Sequence, residues 1–195
     1  MKKFLTALLI AFLVTANNFS EAAEFTGEQI KRMFSVTVQN PAVAQVKTLK
    51  LDAETFRKNF NDYIANFIRE MNLGGDGVLM NRLLTIDAAA VTVKDDYCIF
   101  GKNFGGKVVI VGFGEKDKNL KVLNFFAAKI NNRDDALFYS LMLDAFVKSI
   151  SPDLDAKTLL DELDKNSDAT LIRGGVKYSV TKDADTDIIT AVAAP

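Results

Sequence analysis

Several stretches of the chain carry residue types that could do chemistry. Gly101-Lys102-Asn103-Phe104-Gly105-Gly106-Lys107 satisfies G-x-x-x-x-G-K, a loop whose backbone N–H groups and lysine can cradle phosphates. The next residue is Val108, where a metal-binding Ser or Thr is needed. Val108 to Val111 also reads as a strand, whereas a phosphate site uses a helix N-terminus. The segment is therefore read as a glycine-rich hairpin turn.

Asp183-Ala184-Asp185-Thr186-Asp187 places carboxylates at alternate positions, as at the start of a calcium loop, but Ile188 stands where Gly is needed and Ala194 where a bidentate Glu is needed. Asp164-Lys165-Asn166-Ser167-Asp168 fails at the same two positions, with Ala169 and Gly175, so both read as polar turns. Ser179-Val180-Thr181-Lys182 has the S-x-x-K form of a serine nucleophile with its lysine. That pair shares a face on a helix, but the period here is two, which puts Ser179 and Lys182 on opposite faces of a strand.

The chain contains no histidine, which removes Ser-His-Asp and Cys-His activation and every histidine-containing metal site. Cys98 is the single cysteine, so neither an internal disulfide nor a thiolate cluster forms, and its apolar setting in Tyr97-Cys98-Ile99-Phe100 marks it as a small buried hydrophobe. Carboxylate chemistry across a cleft is what remains for an enzyme. Asp161, Glu162 and Asp164 fall in positions that read as solvated, and there is no tryptophan for sugar stacking. No catalytic, cofactor-binding or metal residue is assigned.

The elements that would position any site follow from periodicity. Thr26 and Gln29 have capping-box spacing ahead of Ile30, Met33 and Phe34, which predicts a first helix; Phe34 to Val38 also alternates like a strand, and Pro41 closes the segment either way. Asp52 caps a second helix carrying Phe56, Phe60, Tyr63, Ile64, Phe67, Ile68 and Met71 on one face, ended by Gly74-Gly75-Asp76-Gly77. Such an aromatic stripe can line a ligand cavity, but packing on a sheet is the expected role.

From Leu83 the period changes to two, predicting strands at 83–93, 97–104, 107–113 and 120–127. Val108-Val109-Ile110-Val111 lacks alternation, which places that strand centrally with both faces covered. Asp134 or Asp135 starts a helix with Leu137, Phe138, Leu141, Met142, Ala145 and Phe146. Asp155 caps a shorter one with Leu159, Leu160 and Leu163, making an αα-hairpin. Val176, Tyr178 and Val180 alternate with Lys177, Ser179 and Thr181, and a last strand spans 188–192. The result is an α+β domain with a mostly antiparallel sheet of about five to six strands and helices packed on one face. In element order alone it resembles small exported modules such as β-lactamase-inhibitor-like and cystatin-like folds; no motif ties the chain to either.

At the N-terminus, Lys2 and Lys3 precede an apolar run from Phe4 to Val14 that is too short to anchor in a bilayer. Ser20-Glu21-Ala22 offers small residues at the signal-peptidase positions, so residues 1–22 are expected to be a signal peptide cleaved before Ala23, with Val14-Thr15-Ala16 the second choice. Residues 23–195 then form one domain with 22 basic and 24 acidic residues. That balance gives no reason to expect nucleic acid or an anionic membrane surface as partner, and no membrane anchor remains after cleavage.

The expectation is an exported, periplasmic or secreted, non-enzymatic binding or interaction protein without cofactors. Its partner is an unidentified protein docking on the open sheet face, with Phe104 and Phe113 as contact residues, or a small apolar ligand held between the Phe-rich helix and the sheet. A carboxylate-dependent hydrolase is the third alternative.

Overall fold

The computed structural model describes residues 24–39, 47–72, 75–130, 132–166, 168–183 and 185–195; the leader reading, its cleavage before Ala23, and Pro41 lie outside them. The chain is α+β. Its elements run α1 (Gly27–Gln39), α2 (Ala53–Met71), α3 (Gly75–Leu84), a 3₁₀ turn (Ala88–Ala90), β1 (Val91–Val93), β2 (Tyr97–Phe104), β3 (Val108–Glu115), β4 (Leu120–Ala128), α4 (Arg133–Ile150), α5 (Ala156–Lys165), β5 (Thr170–Arg173), β6 (Val176–Lys182) and β7 (Thr186–Ala193). The strands form one antiparallel sheet in the order β1-β2-β3-β4-β7-β6-β5. It has seven strands, more than the periodicity predicts, because the four-residue edge strand β5 is too short to show alternation.

Side-chain caps set the helix starts. In α1 the Gln29 N–H donates to Thr26 Oγ1 (3.2 Å) and the Thr26 N–H donates to Gln29 Oε1 (2.8 Å), a closed capping box. The helix continues through Phe34 to Val38, where Ser35 and Thr37 hydroxyls donate to the carbonyls of Lys31 and Met33. Asp52 Oδ1 accepts from the N–H groups of Glu54 and Thr55 at the start of α2 (2.9 Å each), and Asp155 Oδ1 accepts from Thr158 N–H at the start of α5 (2.7 Å). At α4 the cap is Asn132, which accepts from Asp135 N–H (2.8 Å), rather than Asp134 or Asp135.

Two expectations are corrected. The run from Leu83 is no long strand: α2 ends at left-handed Asn72 (φ 53°), and Gly75 opens α3, which ends at Leu84. Between α3 and β1, the Asn61 side chain accepts from Ile86 N–H (2.8 Å) and donates to Ile86 C=O (2.9 Å), supplying the partners a neighbouring strand would otherwise give. The helices also do not all lie on one face. On the face carrying Phe100, Ile110, Leu123, Phe125, Ile189 and Tyr178 lie α2, α4 and α5, whereas α1 packs on the reverse face over Val109, Val111 and Phe126. All four residues from Val108 to Val111 are buried, as a doubly covered central strand requires.

The main core is aromatic. Phe56 meets Phe60, Phe100 and Phe146 at ring separations of 6.1, 5.5 and 5.9 Å, and Phe60 meets Phe104 at 5.8 Å. These tilted and edge-on rings fill the space between α2 and the sheet.

Candidate functional site

The sequence candidates for chemistry resolve into structure. Gly105 (φ 60°) and Gly106 (φ 71°) form the tight turn of the β2–β3 hairpin, with no helix to receive a phosphate. Lys107 instead forms a buried ion pair with Asp135, whose second oxygen, Oδ2, is buried without a hydrogen-bond partner. Ser179 and Lys182 lie on opposite faces of β6, and Lys182 faces Asp164 at 3.9 Å. Among the described residues no three His, Cys, Asp or Glu side chains converge to hold a metal, and no helix is long and apolar enough to cross a membrane.

Phe104 is 2% exposed and belongs to the core, which removes it as a contact residue. Phe113 is half-buried on the reverse face, its ring 5.3 Å from that of Tyr97. The open sheet face expected to receive a partner is narrowed at its centre. There Phe34 lies against Gly101 so closely that a Cβ on Gly101 would stand 2.0 Å from the ring, and Thr37 accepts from buried Asn124 (2.9 Å), which in turn accepts from Thr190 (2.8 Å).

A concave site lies elsewhere, in the helical layer. A cleft of about 430 Å³ opens between α2 and α4, closed by α3 on one side and by the start of α5. Its apolar wall is Phe67 of α2, Met80 and Leu84 of α3, and Leu137, Phe138 and Leu141 of α4; among the described residues none of its lining comes from a strand. Two of these, Leu137 and Leu141, stand one turn apart on α4. The Phe-rich helix thus serves twice. Phe56, Phe60, Ile64 and Ile68 are buried inward, while Tyr63 and Phe67, on the shoulder of the same stripe, are half-buried in the cleft.

Polar groups are fixed at the α5 end. The Tyr63 hydroxyl donates to Asp144 Oδ2, and Asp144 Oδ1 accepts from Ala156 N–H (2.8 Å), the first backbone donor of α5. Burial, then the bond to Asp144, holds the Tyr63 phenol far above the ordinary tyrosine range. Asp155 is held below the usual carboxylate range by the Thr158 backbone N–H and then by the Thr158 side chain. Lys157 also lines the cleft, but its ammonium is bound to Asp161 one turn on. At the far end stands Asp134, ten residues before Asp144 on α4 and thus about 15 Å away along the helix.

Periodicity marks Tyr63 and Phe67 as part of an aromatic stripe, but nothing local in the sequence brings Asp134, Asp144 and Asp155 to one cleft. No family model matches the chain, and neither the curated proteins nor the solved structures include a significant match.

Proposed function

We propose that the chain is an exported, non-enzymatic binding protein whose site is the α2–α4 cleft, and that its ligand is a small molecule with an elongated apolar body. The observation that carries this reading is the cleft: about 430 Å³, walled by apolar side chains with a few fixed polar groups at its ends. That volume falls in the roughly 300–1,000 Å³ range of small-molecule sites, and apolar walls with sparse polar groups are their usual lining. The ligand position differs from the one expected between α2 and the sheet, because packed rings occupy that space.

A hydrolase gains less support. The carboxylates at the α5 end are already engaged, Asp144 by the Tyr63 hydroxyl and the Ala156 N–H and Asp155 by the Thr158 N–H, in structural roles that link and cap helices. Native mass spectrometry of protein purified from its own host tests the binding reading. A retained adduct is expected, lost on Ser140→Trp, which places an indole in the cleft from an exposed position. Repeated purification without an adduct would sink the proposal.

A further inference from the structure

Taking the cleft to be a ligand site, we infer that its ligand is a cationic amphiphile: an apolar chain lying along α4 with an alkylammonium head at the α5 end. The charges of the lining carry this. At the α5 end Asp144 and Asp155 present carboxylates, and the one basic lining residue among the described residues, Lys157, is ion-paired with Asp161 and is 83% exposed. The start of α5 would ordinarily attract an anion. Here its Ala156 and Thr158 N–H groups are already taken by Asp144 and Asp155, two fixed carboxylates that repel an anionic head and attract a cationic one.

Tyr63 strengthens the same preference. Its hydroxyl hydrogen is committed to Asp144, so it does not donate to an anionic head, and its ring lines the cleft beside the two carboxylates. Between the two ends, Leu137 and Leu141 supply the apolar track for the chain.

The test is calorimetric titration of the exported chain, below the micellar range, with dodecyltrimethylammonium and with dodecanoate, which share a chain length and differ in head charge. The cation is expected to bind at least about tenfold more tightly, the preference shrinking as salt rises. Asp144→Asn should bring the two ligands close to parity, as should Asp155→Ser, which keeps a helix cap. Ser140→Trp should abolish binding of both, and binding that survives it places the site elsewhere and overturns the inference. Dodecanoate binding as tightly as the cation overturns the charge inference while leaving the cleft as a binding site. Binding of neither overturns the binding reading as well.

Discussion

The carboxylate of Asp144 joins Tyr63 to Ala156: one oxygen accepts from the phenol of α2 and the other from the first backbone N–H of α5. Three helices meet at this one side chain, since Asp144 itself belongs to α4. Tyr63→Phe removes a single donor at a half-buried site and is expected to cost about 1–2 kcal/mol. Asp144→Ala also strips Ala156 N–H of its acceptor and is expected to cost more. Urea denaturation of the two variants checks the order, and equal stability of both with the parent chain would refute the bridge.

The buried tyrosines make stability fall in alkali. The Tyr178 phenol is buried and pushed up to about 12 by desolvation, partly opposed by its hydrogen bond with Ser151, against about 10 in an unfolded chain. A pKa raised on folding gives a contribution fully present below the unfolded value and lost as pH rises through the folded one. Stability should therefore decline between about pH 10 and 12, by on the order of 2 kcal/mol from Tyr178 alone. Tyr178→Phe should flatten that decline in denaturation curves taken across the range.

Phe34 and Gly101 hold α1 to the reverse face of the sheet. A Cβ at Gly101 would stand 2.0 Å from the Phe34 ring, so Gly101→Ala is expected to destabilise by about 1–3 kcal/mol through overpacking. Adding Phe34→Ala removes the clash, and the double variant should be less unstable than the sum of the singles. Strict additivity in thermal unfolding would show that the two do not interact.

Lys107 and Asp135 form a pair that is costly to break and easier to replace. Their side chains are 11% and 7% exposed. Lys107→Met leaves a buried carboxylate without its cation, and a loss of about 3–5 kcal/mol is expected. The double variant Lys107→Met, Asp135→Leu should recover much of that loss in guanidinium unfolding.

Cys98 should resist modification in the folded chain. It is fully buried, and desolvation raises its thiol pKa above the ordinary range, so both access and thiolate fraction are low. An aromatic disulfide reagent should react with Cys98 only after denaturant is added. Stoichiometric reaction at neutral pH in native buffer would contradict the burial.

Where one element buries one face, the sequence is legible. Phe56, Phe60, Ile64, Ile68 and Met71 recur at helical spacing and are buried, and the unbroken Val108 to Val111 run lies between two layers. The fold is less legible where tertiary contacts override local signals. Gly75 and Gly77 read as a terminator but sit inside α3, and the segment around Ile86 is held by Asn61 from another helix. The side of the sheet that α1 covers has no local signature, because Met33 and Phe34 would be apolar on either face. The cleft is the least legible feature, since its walls come from four helices.

The strand order carries a consequence for how the chain can be assembled. Val122 pairs with Val192 and Ala128 with Thr186, so the middle of the sheet joins segments separated by both α4 and α5. Entropy must be spent to close that long loop before β4 gains its second neighbour, which makes the pairing a late step. A nascent chain still lacking β7 holds β4 as a naked hydrogen-bonding rim beside a loose β5–β6 hairpin. Premature termination before Thr186 recreates that state permanently, and such fragments would be the self-associating species.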